Sequence, residues 1–316
     1  MPEALKVFSI VAYSLIFVLG TIGNGLVIFI MGFRMKKTVN TVWILNLAIA
    51  DFTFSFFLLF NIVRIAENFH WQLGPVMCKL NYAMVFFNVI ASIYTLTVIS
   101  IDRCIAVWCP VWAQNHRTPR LASFVVLGIW ILALVLCCLN LYSMKKFTYI
   151  KNETCCFNHY NMPYAEETKA QYALVTTRVI ISFIIPFIVI VVCYGAIVVR
   201  LRRDQLSQSS KPFKVITAVI VAFFVCWLPF HIFSFLQVKN SSEAQKHVVS
   251  IGLPLSVILA SFNSCLNPIL YFCMGYNFKE KLRLSLLSVL VNAFTESSTH
   301  SNTKAESSAE LDSPSK

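Results

Sequence analysis

Seven long apolar runs decide what this chain can become. They cover about Val7–Phe33, Thr41–Ala66, Cys78–Trp112, Leu121–Tyr142, Gln171–Leu201, Phe213–Val238 and His247–Cys273. Each reaches the roughly 20 residues with which a helix crosses the hydrocarbon core of a bilayer. With 58% hydrophobic and only 13% charged side chains over 316 residues, the chain is too apolar for a soluble domain. The expected fold class is an all-α membrane protein, a bundle of seven transmembrane helices. The first run is too long for a cleavable signal peptide and reads as a spanning helix that also directs insertion.

The third run carries the most information. It opens at Cys78 and reaches Asp102-Arg103, about 38 Å of helix, close to the roughly 40–45 Å of a bilayer with its headgroups. It therefore joins the two membrane faces. Basic residues gather on one of them: Arg34, Lys36, Lys37, Arg117, Arg120, Arg200, Arg202 and Arg203 lie in or beside the same set of connections. The positive-inside rule makes that face cytoplasmic and puts the amino terminus outside. It also explains the net charge of +12 without nucleic acid. The two glycosylation sequons, at Asn152 and Asn240, fall in connections assigned to the outside. The domain order expected is a short extracellular segment at 1–6 and the bundle at 7–273. An amphipathic juxtamembrane helix at 274–290 follows, with Phe278, Leu282 and Leu286 on one face. A disordered Ser/Thr-rich cytoplasmic tail at 291–316 ends the chain.

Ionisable residues inside spanning helices are costly and point to function. Asp51 lies in the middle of the second run. It is either the centre of a hydrogen-bond knot or a sodium ligand, with Asn88, Ser92, Asn263, Ser264 and Asn267 as candidate oxygen donors. Arg178, about 12 Å outward of Pro186 on the fifth run, suits an anion, because a guanidinium pairs a carboxylate through two hydrogen bonds. Arg64 is a weaker candidate near the outer end of the second run. Cys78 can close a disulfide with Cys155 or Cys156 in an oxidising compartment. Most other cysteines lie inside apolar runs, where a thiol acts as a small hydrophobe. Pro186, Pro229 and Pro268 interrupt three successive helices and mark a bundle that bends. Trp227, near Pro229, is expected at the floor of any outer cavity.

These residues, taken in order, resemble the rhodopsin-class G-protein-coupled receptors over nearly the whole chain. The resemblance rests on Gly23-Asn24, Leu47-Ala48-Ile49-Ala50-Asp51, Cys78, Asp102-Arg103, Trp130, Pro186 with Tyr194, Cys226-Trp227-Leu228-Pro229 and Asn267-Pro268-Ile269-Leu270-Tyr271. Within that class the chain is similar to the chemoattractant branch of formyl-peptide and chemerin receptors, through Cys104 and the segments 34–52, 110–118, 209–214, 252–271 and 274–282. The resemblance implies an extracellular peptide bound by Arg178, Arg64, Phe86, Phe87, Trp227 and Phe230. It assigns activation and G-protein coupling to Asp102, Arg103, Tyr194, Trp227, Pro229, Asn267, Pro268 and Tyr271. It favours Cys155 as the partner of Cys78. It also implies an inhibitory-class heterotrimeric G protein, receptor kinases and arrestin at the tail, and a place in the plasma membrane. Phe86 and Ile65 stand where formyl-peptide receptors carry an aspartate and a basic residue, which argues against formyl-methionyl recognition.

Other classes fit less well. An opsin needs a lysine in the seventh run, and residues 253–272 contain none. An amine receptor needs an acid where Val85 stands. A transporter or channel is disfavoured by the lack of an internal repeat. No nucleophile–base pair or metal-ligand spacing points to an enzyme, and no cofactor is expected beyond the sodium ion near Asp51. Two alternatives share the fold: a scavenging or arrestin-biased receptor, and a receptor for an anionic lipid mediator.

Overall fold

A computed structural model describes residues 2–68, 71, 73–143, 148–150, 153–155, 164–203, 211–239 and 242–274. Among them, seven helical stretches are long and apolar enough to cross a membrane: Glu3–Arg34, Val39–Ala66, Val76–Trp108, Pro119–Leu139, Gln171–Arg203, Ile216–Lys239 and Glu243–Leu270. They answer one to one to the seven apolar runs.

The first span is α1 (Glu3–Phe29), which ends in a π-helical turn at Ile30–Arg34. The second is α2 (Val39–Ala66), opened by a capping box in which Thr38 and Thr41 satisfy each other's backbone N–H groups. The third is α3 (Gly74–Trp108). Gly74 sits at φ +73°, a conformation that costs a glycine little, and its carbonyl accepts from the Trp71 indole at 2.7 Å. The apolar run continues to Trp112, but the helix stops at Trp108. Pro110 is the reason: it disfavours the helical conformation at the residue before it, and Cys109 adopts φ −127°, ψ 62°. Pro110 then starts the short helix α4 (Pro110–His116), where a proline's missing N–H costs nothing.

The fourth span is α5 (Pro119–Ser143). Two short antiparallel strands follow, β1 (Thr148–Ile150) and β2 (Glu153–Cys155), with Tyr149 opposite Thr154. The sequence reading treats this stretch only as a loop. The fifth span joins α6 (Tyr164–Val179) to α7 (Ile185–Arg203) through a π-helical turn at Ile180–Ile184. Pro186 lies directly beyond that turn, and a wider turn relieves the clash of a proline ring with the carbonyl four residues back. The last spans are α8 (Lys211–Lys239), with Pro229 inside, and α9 (Glu243–Met274), with Pro254 and Pro268 inside.

The third span is the axis of the bundle. Its most apolar window is 72% buried, whereas the other spans range between 28% and 44%. The core around it gathers Val27, Trp43, Leu47, Ile93, Phe223 and Trp227 from four spans. Outward-facing apolar side chains such as Leu15, Ile22, Phe124 and Val192 stay exposed, as a lipid-facing surface requires.

The prolines also create bonds between helices. Pro268 leaves the Ser264 carbonyl without its helical donor, and the Asn24 amide fills the gap at 2.8 Å. Gly23 makes the approach of α1 feasible: a Cβ there would stand 3.0 Å from the Pro268 Cβ. The Gly23-Asn24 pair of the first span and the Asn267-Pro268 pair of the last thus form one joint. The juxtamembrane segment 275–290, the tail, and the sequons at Asn152 and Asn240 lie outside the described residues.

Candidate functional site

Three polar layers lie along the bundle. The first is toward its Cys78 end. Arg178 is on α6, two residues before the π-helical turn. One of its guanidinium nitrogens donates to the Tyr82 hydroxyl at 3.2 Å, and the guanidinium carbon stands 4.1 Å above the Phe86 ring. Its Nε has no hydrogen-bond partner. An arginine with an aromatic ring on one face and a tyrosine hydroxyl on one nitrogen, with a donor left over, is preorganised for an anion.

His231 of α8 lies within electrostatic reach of Arg178. It is 4% exposed, and neither ring nitrogen has a partner. It packs 5.0 Å from Phe183 and 5.5 Å from Phe230, ring centre to ring centre. Trp227 lies below it, 2% exposed, with its indole N–H also unpartnered. Buried donors without partners are rare because each costs about 1–3 kcal/mol. Here Trp227 and His231 carry them within one aromatic cluster, and Arg178 carries another within electrostatic reach of His231.

Phe230 belongs to this cluster and Phe86 meets it through Arg178, but Phe87 turns elsewhere. Its ring packs edge-on against Trp130 of α5 at 5.3 Å. Arg64 is also apart, in the last turn of α2 and within electrostatic reach of Tyr13 of α1. Cys78, 4% exposed, is disulfide-bonded. Its partner, and the side chains of both candidates Cys155 and Cys156, lie outside the described residues.

The second layer is at mid-bundle. Asp51 is fully buried. One carboxylate oxygen accepts from the Asn88 amide at 3.0 Å and the other from the Asn267 amide at 2.7 Å, with the Ser264 hydroxyl alongside. Both asparagines turn their nitrogens to the acid. Their own oxygens, the Ser92 hydroxyl and the Asn263 oxygen are buried without partners. The acid thus ties α2 to α3 and α9, and oxygen ligands of the kind a hard cation takes stand in the same layer.

The third layer is at the Arg103 end. Asp102 does not pair with its neighbour Arg103. Arg117, in the turn after α4, takes both of its oxygens at 2.7 and 2.8 Å. Arg117 also donates to the Asn40 side-chain oxygen at 2.6 Å, and Arg103 donates to that same oxygen. Tyr194 of α7 lies beside Thr217 of α8 and within electrostatic reach of Arg103. The Trp108 indole donates to the Ala196 carbonyl at 3.1 Å and carries Arg200 over its ring at 5.6 Å, joining α3 to α7. The side chain of Tyr271 lies outside the described residues.

Sequence reading missed Asn40, Tyr82 and His231. Asn40 looks like a turn residue and His231 like one more member of an aromatic run. Only the helix rotations bring them to the arginines. Among the described residues there is no cluster of His, Cys, Asp and Glu able to hold a metal ion.

A family model described as "7 transmembrane receptor (rhodopsin family)" matches residues 23–271. The chain is 41% identical over 313 residues to chemerin-like receptor 1 of Sus scrofa, covering 95% of this chain and 85% of that protein. It is 41% identical over 310 residues to chemerin-like receptor 1 of Homo sapiens, covering 94% and 82%. Against N-formyl peptide receptor 3 of Pongo pygmaeus it is 40% identical over 318 residues, covering 94% and 90%. The seven spans, the buried acid with its asparagines and the arginine layer are thus those of a receptor and not an enzyme, and the chain belongs to the rhodopsin family of seven-transmembrane receptors.

Proposed function

We propose that this receptor binds the carboxylate end of an extracellular chemoattractant peptide at Arg178 and signals through an inhibitory-class G protein. The observation that carries this reading is the Arg178 layer: a guanidinium held by Tyr82 and Phe86, with unpartnered nitrogens on Arg178, His231 and Trp227 close by. A bound carboxylate would supply acceptors for these donors, and Phe86 and Phe230 would supply apolar contact. The relatives named for chemerin and formyl peptides support a peptide; Phe86 in place of an acid favours the chemerin-like kind.

The orientation follows from charge. Arg34, Lys36, Lys37, Arg117, Arg120, Arg202 and Arg203 lie at one end of the bundle, which makes that end cytoplasmic. The Arg178 layer then faces outside, in a plasma-membrane receptor. Ligand binding biases α8 about Pro229 and loosens the Asp102–Arg117–Asn40–Arg103 network, uncovering Arg103 for the G protein. Kinases and arrestin act on the Ser/Thr-rich tail, where added phosphate creates an Arg/Lys-pairable surface. A sodium ion near Asp51, with oxygens from Ser92, Asn263 and Ser264, holds the resting arrangement.

The test is inhibition of cyclic-AMP production in cells expressing the chain. Chemerin-type peptides with a free carboxyl terminus would be compared with their amides and with formylated peptides, on wild type and Arg178→Ala. A response to the free acid, weakened in the amide and lost in Arg178→Ala at equal surface expression, supports the reading. A response indifferent to both changes sinks the role of Arg178. Silence to every peptide and activation by an anionic lipid would assign the same site to a lipid mediator.

A further inference from the structure

Between the Arg103 ends of α2, α3 and α5, against the short helix α4, lies a cleft of about 190 Å³. Trp43, Val98, Ile105, Ala122 and Val125 wall it, and the Asp102–Arg117 pair closes its polar end. Three lining residues are large, apolar and exposed: Ile101 at 37%, Trp112 at 48% and Leu121 at 49%. They make an apolar mouth on the surface of the bundle.

An apolar cleft gives water few hydrogen-bond partners, and a mouth of this kind on a membrane helix faces hydrocarbon. Among the described residues Asp102 is the one acid in the cleft's lining and is paired by Arg117; the charges beside the mouth are positive. Arg120, exposed, immediately precedes Leu121 at the mouth. Lys36 and Lys37, also exposed, lead into α2, whose Val39 lines the cleft. Among the described residues none of the three makes an ion pair.

We propose that this cleft binds an acyl chain of an anionic phospholipid, whose headgroup is held by Arg120 and the Lys36–Lys37 pair. The volume takes a stretch of one chain and not a whole lipid. The chain lies against Trp112 and Ala113, so it presses α4 onto α3 and keeps Arg117 on Asp102. The orientation proposed above makes the lipid one of the cytoplasmic leaflet; the binding chemistry does not depend on that assignment.

The experiment uses the purified full chain in nanodiscs of phosphatidylcholine, which have the same lipid on both faces. A trace of photoreactive lipid is added, with the reactive group on the acyl chain and either a serine or a choline headgroup. After illumination the labelled peptides are mapped by mass spectrometry. The expected result is label concentrated on residues 98–105 and 121–125. The serine lipid should exceed the choline lipid by about fivefold for each cation that holds it. Ala122→Phe, which fills the cleft, should remove this label and leave label elsewhere intact. Val125→Phe is the substitute if that variant does not fold. Arg120→Gln, on an exposed side chain, should narrow the preference for serine over choline by about fivefold. Equal labelling by the two lipids in wild type overturns the anionic headgroup. Label spread evenly over the lipid-facing helices, or unchanged when the cleft is filled, overturns the site.

Discussion

Arg117 grips both oxygens of Asp102, at 2.7 and 2.8 Å, across fifteen residues of chain. Arg103, the next residue after Asp102, is left to Asn40. The clasp exists because α3 breaks at Cys109 and α4 turns the chain back beneath it. A single helix running on through the apolar stretch would carry Arg117 more than 20 Å away along the axis. The turn at Pro110 is therefore what places the connection between α3 and α5 in contact with the helix that crosses the whole bundle.

Loss of this clasp should raise signalling without ligand. Asp102 and Arg117 side chains are 12% and 26% exposed, so the pair is partly shielded from solvent and worth about 1 kcal/mol or somewhat more. Arg117→Gln removes the ion pair while keeping a donor. If the pair forms only in the resting arrangement, its loss shifts the balance toward the active one by about fivefold. Basal inhibition of cyclic-AMP production, normalised to surface expression, should rise accordingly. An unchanged basal level would mean that the clasp persists on activation.

The Asn24–Ser264 bond should be structural and independent of ligand. Asn24→Ala leaves the Ser264 carbonyl, freed by Pro268, without a donor inside the bundle. Polar contacts between membrane helices contribute about 0.6–2 kcal/mol. Asn24→Ala should lower the melting temperature in detergent by a few degrees with little change in ligand affinity. Gly23→Val should be worse, since even a Cβ there meets the Pro268 ring at 3.0 Å. Equal melting of wild type and both variants would show that the joint does not hold α1 to α9.

Sodium should stabilise the receptor without ligand, through Asp51. An ion that binds only the folded state adds about 1.4 kcal/mol at ten times its dissociation constant. Melting in sodium chloride should therefore exceed melting in potassium chloride at equal ionic strength. Asp51→Asn should abolish the difference, because a neutral amide leaves the cation no counter-charge. A sodium effect that survives Asp51→Asn would place the ion elsewhere and leave Asp51 as a hydrogen-bond knot between α2, α3 and α9.

What could be read from the sequence, and what could not, divides along a physical line. The spans were legible because each is a long apolar run, and Asp51 stood out because a bare acid in such a run must find partners. The partners of Arg103 and Arg117 were not legible. Which residues of two spanning helices meet depends on how each is rotated about its axis, and a helix apolar on every face gives little sign of its rotation. Asn40, Tyr82 and His231 reach the arginines through such rotations. The break at Cys109 was marked by Pro110, but an unbroken apolar stretch hid it. The hairpin β1–β2 had only three residues a side to announce it, too few for an alternating pattern to stand out from a loop.

His231 gives the sharpest separation of stability from binding. Both of its ring nitrogens are buried without partners, so the imidazole burdens the empty receptor. Replacing it by an apolar ring of similar shape removes that burden, which is neutral or favourable by up to about 1–3 kcal/mol. His231→Phe should therefore melt at or above the wild-type temperature in the absence of ligand. The same change deletes a polar contact to the proposed carboxylate, so agonist potency should fall, by about tenfold for a hydrogen bond worth roughly 1.4 kcal/mol. His231→Gln keeps a donor and an acceptor and should retain more potency than Phe. Functional side chains commonly trade stability for activity in this way. A His231→Phe receptor that melts lower and binds as well as wild type would reverse the assignment, making the imidazole part of the packing and not part of the site.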